Sequence, residues 1–189
     1  MRSFFAIPVP EEVRTYLHGL TAPLKQSRDR ISWVAQRNIH MTLSFLGDTE
    51  ESALDAHETG LIQLADRIPA FELVTQDTGV FPHANDPRVL WIGAGLFDQS
   101  LKKMKQGLDN FLRKQGYAID NRPYHPHITL GRVKNLSRNS QSIHEYLSMD
   151  VREIVFPVNE LLWIKSTLTP MGAEYEVMRT FKLNTGGNP

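Results

Sequence analysis

The phrase His-apolar-Thr-Leu occurs twice in this chain, as His40-Met41-Thr42-Leu43 and His127-Ile128-Thr129-Leu130, and no other feature constrains the fold as much. In a strand, successive side chains point to opposite faces, so each His shares a face with its Thr while Met41 or Ile128 and the Leu point the other way. Imidazole and hydroxyl then stand about 7 Å apart along the strand, and the apolar partners anchor it in a core. Two such strands, brought together, make a cleft lined by four matched polar groups. The copies are separated by close to half the chain. That spacing points to an internal duplication: one bilobal domain over residues 1–189, with one motif per lobe.

The flanking pattern fits that plan. Ser3 to Ile7 reads as a short apolar strand that Pro8 and Pro10 end, and Val13, Leu17, Leu20 and Leu24 then recur at helical spacing behind the acidic start Glu11-Glu12. Strands are expected over Ile31 to Val34 and Asn38 to Leu46, a helix over Glu51 to Ile68, and paired strands over Phe71 to Val80 and Val89 to Ala94. A helix marked by Leu101, Met104, Leu108 and Leu112 ends at Gly116, and the second motif strand follows through Val133. Ser140 to Leu147 reads as a short helix, Ile154 to Ile164 and Tyr175 to Leu183 as strands, and the tail Asn184 to Pro189 as frayed. The expected fold class is α+β: two pseudo-symmetric lobes of antiparallel-rich sheet with outer helices and a central cleft.

Composition excludes several functions. With 41% hydrophobic and 22% charged residues the chain is neither disordered nor fibrous. It has no cysteine, which removes disulfides, thiolate nucleophiles and Cys-based zinc sites. Lys plus Arg equals Asp plus Glu, at 21 each, so any anionic ligand must be held by a local cluster rather than by a general positive field. The apolar start before Pro8 is too short for a signal-peptide core, and no run approaches a membrane span; a cytoplasmic monomer is expected. His125-Pro126-His127 invites a metal reading, but no third convergent ligand or His-Glu-x-x-His pattern completes one, so no metal or other cofactor is expected. His18, His57, His83 and His144 are scattered over helices and loops and are expected to be solvated.

Opening a phosphodiester needs a proton taken from the nucleophile and another given to the leaving oxygen. Histidine titrates near neutrality, so one imidazole can begin neutral and the other charged, each contributing roughly 10²–10⁴ in rate. Nucleophile and leaving group lie on opposite sides of phosphorus, a geometry that two opposed strands supply and one strand does not. The hydroxyls of Thr42 and Thr129 can donate to the non-bridging oxygens. Arg132 adds a fork suited to phosphate. Phe5, Trp33 and Tyr124 are candidates for stacking on a base or forming the rim of the cleft.

These motifs, together with Arg2-Ser3-Phe4-Phe5-Ala6-Ile7-Pro8, Trp33-Val34, Ser44-Phe45-Leu46-Gly47, Pro126 before the second motif, Gly131-Arg132 after it and the closing segment from Leu161 to Tyr175, resemble the two-histidine phosphoesterases. The branch they resemble is the bacterial and archaeal RNA 2',3'-cyclic phosphodiesterases, also called 2',5' RNA ligases. The resemblance implies metal-independent hydrolysis of RNA or nucleoside 2',3'-cyclic phosphate ends to 2'-phosphomonoesters. His40 would be the proton donor and His127 the proton acceptor, with Thr42, Thr129 and Arg132 on the phosphate. ATP-independent 2',5' ligation by the same site, or a module that only binds nucleotides or RNA ends, are the alternatives.

Overall fold

In the computed structural model, which describes residues 1–96, 99–138, 140–170 and 172–186, the strands gather into two antiparallel sheets. The first sheet has the order β3-β1-β8-β9, with β1 Arg2–Pro8, β3 His40–Asp48, β8 Glu160–Thr169 and β9 Gly172–Lys182. The second has the order β2-β6-β5-β4-β7, with β2 Arg30–Trp33, β4 Phe71–Phe81, β5 Val89–Leu96, β6 His127–Asn135 and β7 Val155–Val158. The expected α+β architecture with one motif strand in each sheet is therefore what the chain adopts.

The apolar run of β1 explains its central place. Phe5 and Ile7 enter the main core, while Phe4 and Ala6 face the other way and form a second, smaller cluster with Leu162 and Ile164 of β8. A strand buried on both faces has no use for polar alternation. Helix α1 (Glu11–Leu20) begins with Glu11 and Glu12, whose charge suits the helix N-terminus, and buries Val13 and Leu17. Helix α2 (Ala53–Asp66) buries Leu54, Leu61 and Ala65, and α3 (Ser100–Lys114) buries Leu101, Met104, Leu108 and Leu112. Gly116, at φ +86°, supplies the left-handed turn just after α3. A short helix α4 (Ser142–Leu147) seats the buried Tyr146, whose hydroxyl donates to the Trp91 carbonyl at 2.8 Å. The helices cross between the lobes. α3 leaves β5 of the second sheet but packs on α2 and on β3 of the first, whereas α1 leaves β1 and meets the far lobe, where the Arg152 amide donates to the Tyr16 hydroxyl.

Three expectations need correction. Ile154 to Ile164 is two strands rather than one: β7 ends at Val158 on the edge of the second sheet, and after Asn159 the chain enters β8 of the first. Pro157, which lacks a ladder donor, suits the edge place of β7. Asn184 is held rather than frayed, since its amide donates to the Ile68 carbonyl and its carbonyl accepts from the Ala70 amide; residues 187–189 of the tail lie outside the described residues. His57 is half-buried against Trp163, Phe111 and Tyr117 rather than solvated.

Candidate active site

The two motif strands match in more than sequence. Going from His to Asn or Asp, β3 and β6 show the same succession of half-buried, buried and exposed residues. Each also pairs with its neighbour through the same irregularity. Opposite β1, the register passes from Ala6↔Thr42 to Phe5↔Ser44, and opposite β5 from Trp91↔Thr129 to Leu90↔Gly131. Leu43 and Leu130 are thus the extra residues of two β-bulges, and each bulge shifts the alternation by one. Both Leu43 and Ser44 are buried, as are Leu130 and Gly131, and the next residues, Phe45 and Arg132, return to the face that carries His and Thr. Strict alternation would have turned Arg132 away with Leu130. The bulge puts its charge where both imidazoles feel it.

Each imidazole is oriented by its own strand entry. His40 Nδ1 lies 2.6 Å from the Asn38 carbonyl and His127 Nδ1 lies 2.7 Å from the His125 carbonyl. A carbonyl only accepts, so both Nδ1 atoms carry hydrogen and both Nε2 atoms are left for chemistry. The Nε2 atoms differ. In neutral His40 it accepts from the Thr42 hydroxyl at 3.0 Å, not the expected ~7 Å, because that strand rise separates the backbones while the side chains lean together. His127 Nε2 has no hydrogen-bond partner among the described residues. Burial, which penalises the imidazolium, pulls His40 down to about 4 against the opposing bond to Asn38, with smaller contributions from Arg132 and His127. His127 is lowered as well, first by burial and then by the charges of His125 and Arg132. The mutual effect places the two histidines and Arg132 within electrostatic reach across the cleft, where β3 and β6 lie against each other.

The walls are unlike. His40 stacks on Phe4 with ring centroids 4.9 Å apart and meets the edge of Tyr175 at 5.3 Å. His127 meets the edge of Phe81 at 5.0 Å, and Trp91, lying over Gly79, stands beside His125 and His127. A methyl at Gly79 would overlap the indole, so glycine is required there.

Of the aromatic candidates, Phe5 must be corrected: it is 0% exposed and packs on Trp163 and Phe181, so no base reaches it. Its neighbour Phe4 holds the position beside His40. Trp33 is half-buried on the core side, its ring over Gly131. Tyr124 donates its hydroxyl to the Thr42 carbonyl at 2.8 Å, below the Lys105 ammonium, and burial raises its phenol pKa. It ties the segment entering the second motif to the strand of the first. Sequence reasoning also passed over the group behind it: Asp109 of α3 accepts from Ser44 at 2.8 Å and pairs with Lys105. No group of three or more potential metal ligands converges among the described residues, and no helix among them is long and apolar enough to cross a membrane.

Comparison with known proteins bears on the same arrangement. Residues 9–168 match the sequence description of the 2'-5' RNA ligase superfamily. RNA 2',3'-cyclic phosphodiesterases of Thermotoga maritima and Methanocaldococcus jannaschii are each 32% identical, the alignments covering 94% and 95% of this chain and 93% and 99% of theirs. The fold matches a crystal structure of a Thermus thermophilus protein at TM-score 0.81 and 26% identity, over 98% of this chain and 100% of that one. It matches Escherichia coli LigT complexed with 3'-AMP at TM-score 0.74 and 26% identity, over 97% of this chain and 98% of that one.

Proposed function

The chain belongs to the 2'-5' RNA ligase superfamily, and from that premise we propose that it hydrolyses the 2',3'-cyclic phosphate of RNA or nucleoside ends to a 2'-phosphomonoester without a metal. One observation carries the reading: two imidazoles, each fixed through Nδ1 on a matching bulged strand, share the field of Arg132. The unengaged Nε2 of His127 suits the proton acceptor. It takes a proton from water as the water oxygen bonds to phosphorus; the bond from phosphorus to O3' breaks, and O3' takes the proton of the His40 imidazolium. The charge of His40 comes with the substrate, because a phosphate anion beside it offsets Arg132 and raises the pKa that burial had lowered. Protonation of Nε2 also releases the Thr42 hydroxyl, which then donates to a non-bridging oxygen together with Thr129 and the Arg132 fork. We read the enzyme as one bilobal unit, a monomer acting in the cytoplasm.

The test is incubation of the purified protein, in EDTA, with a nucleoside 2',3'-cyclic phosphate, the 2'- and 3'-monophosphates being resolved by chromatography. A 2'-phosphate product that disappears with His127→Ala is the expected result. A 3'-phosphate product would reverse the assignment of the leaving oxygen, and no product would remove the hydrolytic reading.

A further inference from the structure

The molecule is neutral, yet its positive charges are not spread evenly. Segments 27–34 and 131–141, which form β2, the end of β6 and their flanks, contain Arg28, Arg30, Arg132, Lys134 and Arg138 against a single carboxylate, Asp29. That carboxylate is spent on structure: it accepts from the Ser137 amide at 2.7 Å and from the Ser140 hydroxyl. Partial burial works to raise its pKa, but hydrogen bonds from Ser140, Ser142 and Ser137 hold it at about 2. Asp29 thereby fastens the two basic segments together. None of the five cations makes an ion pair or side-chain hydrogen bond among the described residues.

This corner is continuous with the cleft. Ser32 pairs directly with Arg132, and Arg30 is two residues along the same exposed face of β2, whose other residues, Ile31 and Trp33, turn to the core. Arg30 pairs with Asn135 across a bulge whose extra residue is Lys134, and two residues of strand rise, about 7 Å, separate it from Ser32 opposite Arg132, far enough to take two phosphates rather than share one. Lys134 is exposed beside Asn135, the partner of Arg30. From the opposite lobe, Arg2 acts with Arg132 on Tyr175. Tyr175 and Phe45, 37% and 57% exposed, both lie against Phe4 on the His40 side of the cleft. Unpaired cations continuous with the cleft, whose other wall carries the partly exposed rings of Tyr175 and Phe45, suit single-stranded nucleic acid better than an acidic peptide.

We propose that the face running from Arg132 through Arg30 and Lys134 is a track for the RNA backbone upstream of the reacting terminus, so that the preferred substrate is an oligonucleotide end rather than a free cyclic nucleotide. This rests on the cyclic-phosphate reading of the cleft. The test compares kcat/KM for a nucleoside 2',3'-cyclic phosphate and for an RNA hexamer with the same terminal group, across salt, in the natural protein and in the double variant Arg30→Gln, Lys134→Gln. In parallel, fluorescence anisotropy follows a 5'-fluorescein hexamer ending in a 2'-phosphate. The expected result is a hexamer preference of about tenfold or more at low salt, falling with a logarithmic slope of about −0.7 for each phosphate held. In the double variant the ratio of hexamer to mononucleotide should drop several-fold and the slope should flatten. Equal kcat/KM for the two substrates, or a ratio the double variant does not move, overturns the track and leaves the cleft reading standing. If neither substrate is hydrolysed, the cleft reading fails by itself, and anisotropy decides the track: salt-sensitive binding weakened in the double variant upholds it, and its absence overturns it.

Discussion

The strands β3 and β6 have the same length, the same bulge and the same burial order, but they hold their imidazoles in different surroundings. β3 is an edge strand whose Thr42 carbonyl is satisfied by Tyr124, while β6 has β2 along its outer side. Opposite the threonines stand Ala6 in one sheet and Trp91 in the other. At the position the bulge returns to the cleft, one lobe has Phe45 and the other Arg132. The backbone is thus repeated and the chemistry is not. On the proposed reading, a symmetric frame places two like groups about one phosphorus, and asymmetric side chains give them different work.

Removing either imidazole should test this comparison most severely. His40→Ala and His127→Ala are each expected to lower kcat by about 10²–10⁴, with the double variant little worse than either because the two act in one step; losses that multiply in steady-state assays would mean independent roles. Next in size is the contrast between matched positions. Arg132→Ala should cost about 10²–10³ in kcat/KM, while Phe45→Ala should cost less than about threefold, on the scale of a surface contact. Equal losses would show that the asymmetry is incidental.

The pH profile sharpens the comparison further. Both histidines are lowered in the free protein, His40 to about 4, and one must be charged while the other is neutral. The kcat/KM profile should therefore be a bell centred on the acid side of the ordinary histidine value of about 6.5. A bound phosphate anion favours the imidazolium, so the kcat profile should lie at higher pH, and loss of the Arg132 charge should move the kcat/KM bell the same way. A flat rate from pH 5 to 9 would dispose of the two-imidazole scheme. The smallest expected effect is that of Tyr124→Phe, which removes the bond to the Thr42 carbonyl. A loss of about 1 kcal/mol corresponds to a fall in Tm of about 2–4 °C in a chain of this size, readable by calorimetry.

The histidines and threonines were legible as two matched strand motifs because residue type and repetition announce them, and Arg132 as a charge two residues beyond the second motif. How Arg132 reaches the site was not. A bulge is a relation between two strands, and nothing in Thr-Leu-Gly-Arg marks Leu130 as the residue that β5 skips. The choice of Phe5 over Phe4 failed for a related reason: alternation separates the two faces of β1 but does not say which face is the cleft. The division of Ile154 to Ile164 had a signal in Pro157, outweighed by the continuous apolar run around it. Asp109, remote in sequence from Ser44, had none.

The order of strands in the first sheet has a bearing on the birth of the molecule. β1 and β3 come from the beginning of the chain and β8 and β9 from its end, while the second sheet is complete once β7 has been made. On a ribosome adding about 5–20 residues per second, β1 waits on the order of ten seconds with one edge unpaired and its apolar Phe4 and Ala6 uncovered. A two-stranded ribbon is at best marginal in water. The strand at the centre of the finished first sheet is therefore the most exposed to aggregation while it is being synthesised, and the arrival of β8 closes that interval.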